Sequence, residues 1–195
     1  MSEAQRAFTV FDFKSNPAKL DKAIVEMEGE MYREICLRYR VYCLSENADM
    51  PLMWAHYGAS HTGICLEFDG ERSPFTRTTG ATKVEYRGAY PAYDIETVGY
   101  EPLVTKSNDW AYEAEWRLIA EDGAIARTSD ILKTDDDFLR LPSDTLKSVI
   151  IGALATAATV KRVKELVRHH GNKVLIRTAK ISMDRYKLNI DPPIL

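Results

Sequence analysis

The stretch between Val41 and Asp69 constrains the fold of this chain more than any other part of the sequence. Two short apolar runs, VYCLS (41–45) and GICLEFD (63–69), have the length and composition of β-strands. The segment between them contains Pro51, which suits the first turn of a helix, and Gly58, which suits the end of that helix. We therefore predict a strand, a short helix over 50–58 and a second strand.

Two longer helices are predicted by apolar residues at helical spacing. The first covers 17–38 and begins at a proline that follows two capping residues. The second covers 156–170 and has a glycine directly after it. The apolar stripe of the first helix consists of Leu20, Ile24, Met27, Met31 and Ile35, and that of the second consists of Val160, Val163 and Val167. We expect both stripes to pack on a sheet.

Further β-strands are predicted where short runs of β-forming residues occur between turn signals. They lie at 7–13, 82–87, 115–121, 148–152, 173–181 and 186–190. We expect the strands from 41–45 to 173–181 to belong to one twisted, mixed sheet of about six strands, with the two helices packed on it. The fold class is α+β, and residues 1–195 form a single domain, since no repeat or linker divides the sequence.

Composition excludes several classes of protein. The chain has 195 residues, 45% of them hydrophobic and 28% charged, which is typical of a globular domain. A formal net charge of -3 gives no support to a nucleic-acid partner. No apolar run approaches the roughly 20 residues of a membrane span. Three cysteines are too few for a disulfide framework, so we expect a cytoplasmic location.

Paired carboxylates, Glu113 and Glu115, lead directly into the predicted strand 115–121. A carboxylate at the mouth of a strand, with aromatic neighbours, can bind a sugar hydroxyl or stabilise a developing positive charge. The alternative is a surface glutamate that pairs with Arg117 or with a lysine. The residues alone leave both interpretations open.

An aromatic group, Trp54, His56 and Tyr57, lies on the predicted short helix. Such a group can stack against a planar ring. The alternative is that these side chains belong to the core, with His56 bonded to a backbone carbonyl.

Residue types that bind zinc also occur near this helix. They are Cys43, His56, His61 and Cys65. The two cysteines are single residues on separate strands and lack the C-x-x-C pairing of structural zinc sites, so we predict no metal. The sequence also lacks a G-x-S-x-G elbow, a Walker loop and a G-x-G-x-x-G motif.

Three blocks of the sequence resemble the DUF2971 family of uncharacterised prokaryotic proteins over about residues 41–190. The blocks are PLMWAHYGASHTGICLEFD (51–69), Lys106 with WAYEAEWRLI (110–119), and LKSVIIG (146–152). Members of that family usually open with a strand that bears tyrosine and lysine, and with an Asn-Asp-Pro-Phe motif. Neither is found here before the helix 17–38, so we expect a truncated or divergent member.

The strand ending at Ser45, the aromatic helix and the EAEWRLI strand are also distantly similar to the ADP-ribosyltransferase fold. This resemblance implies that Glu115, beside Glu113, holds the ribose hydroxyl of NAD. It implies that Tyr57 stacks on the nicotinamide, next to Trp54, and that Ser45 or His56 orients it.

The implied function is NAD-dependent ADP-ribosyl transfer or NAD cleavage, in bacterial conflict or phage defence, with NAD as the substrate. One alternative is a non-catalytic binding or interaction domain. Another is a hydrolase of a nucleotide or glycosidic bond, with Glu113 and Glu115 as acid and base. We expect these two side chains to point to opposite faces, which disfavours the hydrolase. No membrane partner is expected, and the macromolecular target and the oligomeric state stay open.

Overall fold

The structure is a computed structural model, and it describes residues 17–75, 80–89, 101–124, 132–169 and 173–193. The predicted strand 7–13 lies outside these residues. The helices are α1 (Pro17–Arg38), α2 (Pro51–His56), α3 (Glu101–Val104), a 3-10 helix (Asn108–Glu113) and α4 (Ala157–His169). The strands are β1 (Tyr39–Ser45), β2 (Ile64–Phe68), β3 (Ala81–Lys83), β4 (Glu85–Arg87), β5 (Thr105–Ser107), β6 (Glu115–Glu121), β7 (Leu132–Lys133), β8 (Leu146–Ile151), β9 (Leu175–Ile181) and β10 (Leu188–Ile190).

The described strands form three sheets. The first has the order β1-β6-β3, with β7 parallel to β6, and the second has the order β10-β9-β8-β2. The third is the parallel pair β4-β5. In the first sheet β6–β7 is the parallel pair, and in the second sheet β8–β9 is the parallel pair, while the other pairs are antiparallel. Both larger sheets are therefore mixed. The predicted mixed α+β class is confirmed, whereas the prediction of one sheet system is wrong.

The predicted strand 82–87 shows why the prediction of a single sheet is wrong. It is two strands, β3 and β4, which belong to different sheets and are separated by the buried Val84. The backbone N–H of Val84 bonds the carbonyl of Glu115 at 3.0 Å, after which the chain leaves the first sheet. A run of β-forming residues does not reveal that its two halves pair with different partners.

The second sheet is covered by α4 on one face, as predicted. Alternation along β8 sends Val149 and Ile151 to the face that packs against Val163 and Val167 of α4. Ile150 points the other way. It packs there against Trp54, Ala179 and Leu188.

The predicted packing of α1 on a sheet is not supported by the described residues. The described side chains along it include Val25, Tyr32 and Leu37, which are 66%, 70% and 60% exposed. The side chains of Leu20, Ile24, Met27 and Met31 lie outside the described part of the structure. A long N-terminal helix packed on a sheet is therefore not supported.

None of the helices in the described ranges is long and apolar enough to cross a lipid bilayer.

Candidate functional site

A cleft of about 920 Å³ opens between β1 and β2. Among the described strands, β1 is an edge strand of the first sheet and β2 is an edge strand of the second. The volume of the cleft lies within the usual range for small-molecule sites. One end is apolar and contains Phe68 and Phe75, whose rings stack with their centroids 4.6 Å apart. The other end contains Lys106, Glu113 and Glu115.

Glu115 lies at the start of β6 and is 3% exposed. Its Oε1 accepts a 2.9 Å hydrogen bond from Nε of Arg117, and its Oε2 accepts one of 3.1 Å from Nζ of Lys106. Burial acts to raise the pKa of this carboxyl, but the bonds from Arg117, the Cys43 thiol and Lys106 outweigh it and lower the pKa to about 2. Glu115 is therefore ionised at neutral pH.

Glu113 is the last residue of the 3-10 helix and is 2% exposed. Its Oε1 accepts a 2.8 Å hydrogen bond from the hydroxyl of Tyr57, and its Oε2 accepts one from Lys106. Ala114 then adopts a left-handed conformation, with φ of 44°, and turns the chain into β6. Because both carboxylates bond Lys106, the expectation that they point to opposite faces is wrong. Residues two apart in a strand share a face, and here the turn also directs Glu113 toward the same lysine.

Lys106 is a residue of this cleft that the predicted site lacked. It comes from β5, and its Nζ also lies 5.0 Å from the centroid of the Trp110 ring. Burial acts to lower its pKa, but its bonds to Glu113 and Glu115 outweigh this and raise it, so the ammonium stays charged. The signal in the sequence was a lysine shortly before two carboxylates, within one of the blocks that carry the family resemblance.

The aromatic residues of α2, and Tyr57 directly after it, divide between the cleft and the surface around it. Trp54 is 3% exposed, borders the cleft and donates a 2.8 Å hydrogen bond from Nε1 to the carbonyl of Ala48. Tyr57 borders the cleft with 63% of its surface exposed. His56 lies outside the described cleft lining and contacts the rings of Trp110 and Tyr112 instead.

Ser45 reaches the cleft because β1 and β6 are antiparallel and place it opposite Glu115. Its hydroxyl donates a 2.6 Å hydrogen bond to the carbonyl of Glu113 and accepts one from the N–H of Asn47. Ser45 therefore fixes the backbone at the carboxylate end.

The candidate metal ligands do not converge in the described part of the chain. Among the described residues there is no group of three or more histidine, cysteine, aspartate or glutamate side chains suited to a metal ion. Burial and a hydrogen bond to Glu115 raise the pKa of the Cys43 thiol to about 11. A thiol that stays protonated at neutral pH is a poor nucleophile and a poor ligand.

The fold and site thus define an α+β protein whose cleft joins an apolar end to a buried pair of carboxylates. The model of a family described as "Protein of unknown function (DUF2971)" matches residues 53–118. The predicted family resemblance is confirmed over this segment, which includes Tyr57, Lys106 and both carboxylates. No curated protein and no solved structure matches the chain. The similarity to ADP-ribosyltransferases therefore stays a prediction.

Proposed function

We propose that the cleft binds NAD as a substrate and cleaves the bond between nicotinamide and ribose, as an ADP-ribosyltransferase or an NAD hydrolase. One observation supports this more than any other. The buried, ionised carboxylate of Glu115 lies in the same cleft as the exposed ring of Tyr57. Cleavage of NAD needs one group for the ribose and one for the departing ring.

The chemistry assigned to Glu115 is electrostatic. The bond between C1′ of the ribose and N1 of nicotinamide breaks, and its electron pair leaves with nicotinamide, which becomes neutral. Positive charge develops on the ribose, and the Glu115 carboxylate stabilises it while accepting a hydrogen bond from a ribose hydroxyl. Water or an acceptor side chain then bonds to C1′ and releases a proton to solvent.

The binding roles follow from position in the cleft. Tyr57 offers an exposed aromatic face for the nicotinamide ring, and Trp54 is a buried part of the same cleft lining. Ser45 acts through the backbone of Glu113. His56 has no role in this proposal because it lies outside the described cleft lining.

A second candidate is a binding domain without catalysis. The observation that favours it is that each carboxylate oxygen of Glu113 and Glu115 already accepts a hydrogen bond from a protein group. In such a domain these bonds would hold the shape of the cleft, and a ligand would bind unchanged.

The test is to incubate the purified protein with NAD and to measure nicotinamide and ADP-ribose by chromatography. The comparison is between Glu115→Gln and Glu121→Gln. Glu121 is a matched control because it is also buried on β6 and bonded by an arginine, Arg38, yet it lies outside the cleft lining described. We expect loss of about 100-fold or more of the turnover in Glu115→Gln and little loss in Glu121→Gln.

Thermal shift separates the two candidates. If NAD raises the melting temperature but no nicotinamide is released, the binding domain is correct, since a ligand that binds only the folded state must stabilise it. If NAD neither raises the melting temperature nor is cleaved, the chain is neither an NAD-cleaving enzyme nor an NAD-binding domain.

A further inference from the structure

The hydroxyl of Tyr57 is anchored, although its ring is exposed at the cleft. The residue directly follows α2 and is 63% exposed, while its hydroxyl donates a 2.8 Å hydrogen bond to Oε1 of Glu113. The torsion that turns a tyrosine ring is broad, so an exposed ring is oriented by whatever holds its tip. The direction of this ring therefore depends on Glu113.

Glu113 is itself held at several points. Its Oε2 accepts from Lys106, and its carbonyl accepts a 2.6 Å hydrogen bond from Ser45. The residue is 2% exposed, and the left-handed Ala114 follows it directly. These contacts fix the orientation of the Glu113 carboxylate, with Oε1 directed toward the hydroxyl of Tyr57.

We propose that Glu113 is a positioning residue, which holds the ring of Tyr57 in the orientation that stacks a planar ligand ring. Lys106 bonds both carboxylates and keeps Glu113 in place beside Glu115. The consequence for nicotinamide rests on the proposed function, whereas the coupling of Glu113 to Tyr57 does not.

The contacts favour this role over acid–base catalysis. Both carboxylate oxygens of Glu113 face donors, the Tyr57 hydroxyl and the Lys106 ammonium. With both oxygens already bonded to protein groups, the geometry gives Glu113 a direct contact with the ring that borders the cleft. We therefore assign it a positioning role, in which it acts through the aromatic ring that it holds.

The coupling is measured first without any ligand. The hydrogen bond to Glu113, burial and the charge of Glu113 raise the pKa of Tyr57. Protein labelled with ¹³C at the tyrosine ζ carbons is titrated by NMR, and Tyr57 is identified as the signal that is lost in Tyr57→Phe. We expect it to titrate above the ordinary value of about 10 in the native protein, and near that value in Glu113→Gln.

Glu67→Gln is the control for this titration. It removes a carboxylate that also lines the cleft but bonds Ser148 and Arg177. We expect it to leave the titration of Tyr57 unchanged. An ordinary titration of Tyr57 in the native protein, or an unchanged one in Glu113→Gln, would overturn the proposal.

Kinetics with NAD test the consequence. If Glu113 acts through Tyr57, then Glu113→Gln and Tyr57→Phe each raise KM by a similar factor, about 3- to 30-fold, and the double variant is no worse than either. A fall in kcat of about 100-fold in Glu113→Gln alone would indicate acid–base catalysis and would refute the positioning role. If the titration behaves as expected while NAD is not cleaved, the proposed function fails and the positioning role stands.

Discussion

Glu115 and Glu121 occupy the two ends of β6, and both are buried carboxylates bonded by an arginine. Arg117 donates to Glu115 at 2.9 Å, and Arg38 donates to Glu121 at 2.8 Å. Only Glu115 lines the cleft. The strand thus carries two similar ion pairs, and one of them lies within the candidate site. Comparing substitutions of the two glutamates therefore separates an effect on activity from an effect on stability.

Both glutamates are expected to matter for stability. Removing one partner of a buried ion pair leaves the other charge uncompensated, at a cost on the order of 3 kcal/mol. We therefore expect Glu115→Gln and Glu121→Gln to lower the free energy of unfolding by similar amounts in urea denaturation. A change below about 0.5 kcal/mol in Glu115→Gln would show that its pair with Arg117 is solvated.

Stability should depend on pH through Glu115. Its pKa is lowered from 4.5 to about 2, so it contributes stability that is present above pH 4.5 and lost as the pH falls to about 2. The contribution is about 3 kcal/mol by linkage. We expect the difference in unfolding free energy between the native protein and Glu115→Gln to shrink over this window, measured by denaturation at pH 6, 4 and 2.5. A difference that stays constant would contradict the lowered pKa.

The turn after α2 depends on close approach of the backbone at Gly152. A Cβ there would lie 2.2 Å from the carbonyl oxygen of His61, which follows two residues that also have positive φ angles. We expect Gly152→Ala to cost about 3 kcal/mol, because a backbone atom must move. Gly70→Ala is the control, since a Cβ there meets nothing within 4 Å. Equal melting temperatures for the two variants would refute this packing.

Substitutions on the two faces of helix α4 should differ in how much they lower the free energy of unfolding. Val163 is 6% exposed in the core of the second sheet, while Leu166 on the same helix is 46% exposed. We expect Val163→Ala to cost about 2 kcal/mol through the cavity that it leaves, and Leu166→Ala to cost clearly less, although it removes more atoms. The reverse order in chemical denaturation would place the other face of the helix on the sheet.

The sequence by itself determined those elements whose pattern is local. The strand 115–121 follows from a short run of β-forming residues. The apolar face of α4, with Val163 and Val167, follows from helical spacing, because one side of the helix must leave water. The short helix after Met50 follows from the position of Pro51. These features need no knowledge of their neighbours.

Only the tertiary structure decided which of these residues meet. Lys106 reaches Glu113 and Glu115 because a left-handed residue separates the 3-10 helix from β6. Tyr57 reaches Glu113 from another part of the chain, and the neighbouring His56 does not join the cleft lining described. Spacing along a chain states which side of an element a residue occupies, but strand pairing and turn geometry decide what faces it. The two sheets that form this cleft are set by those long-range pairings.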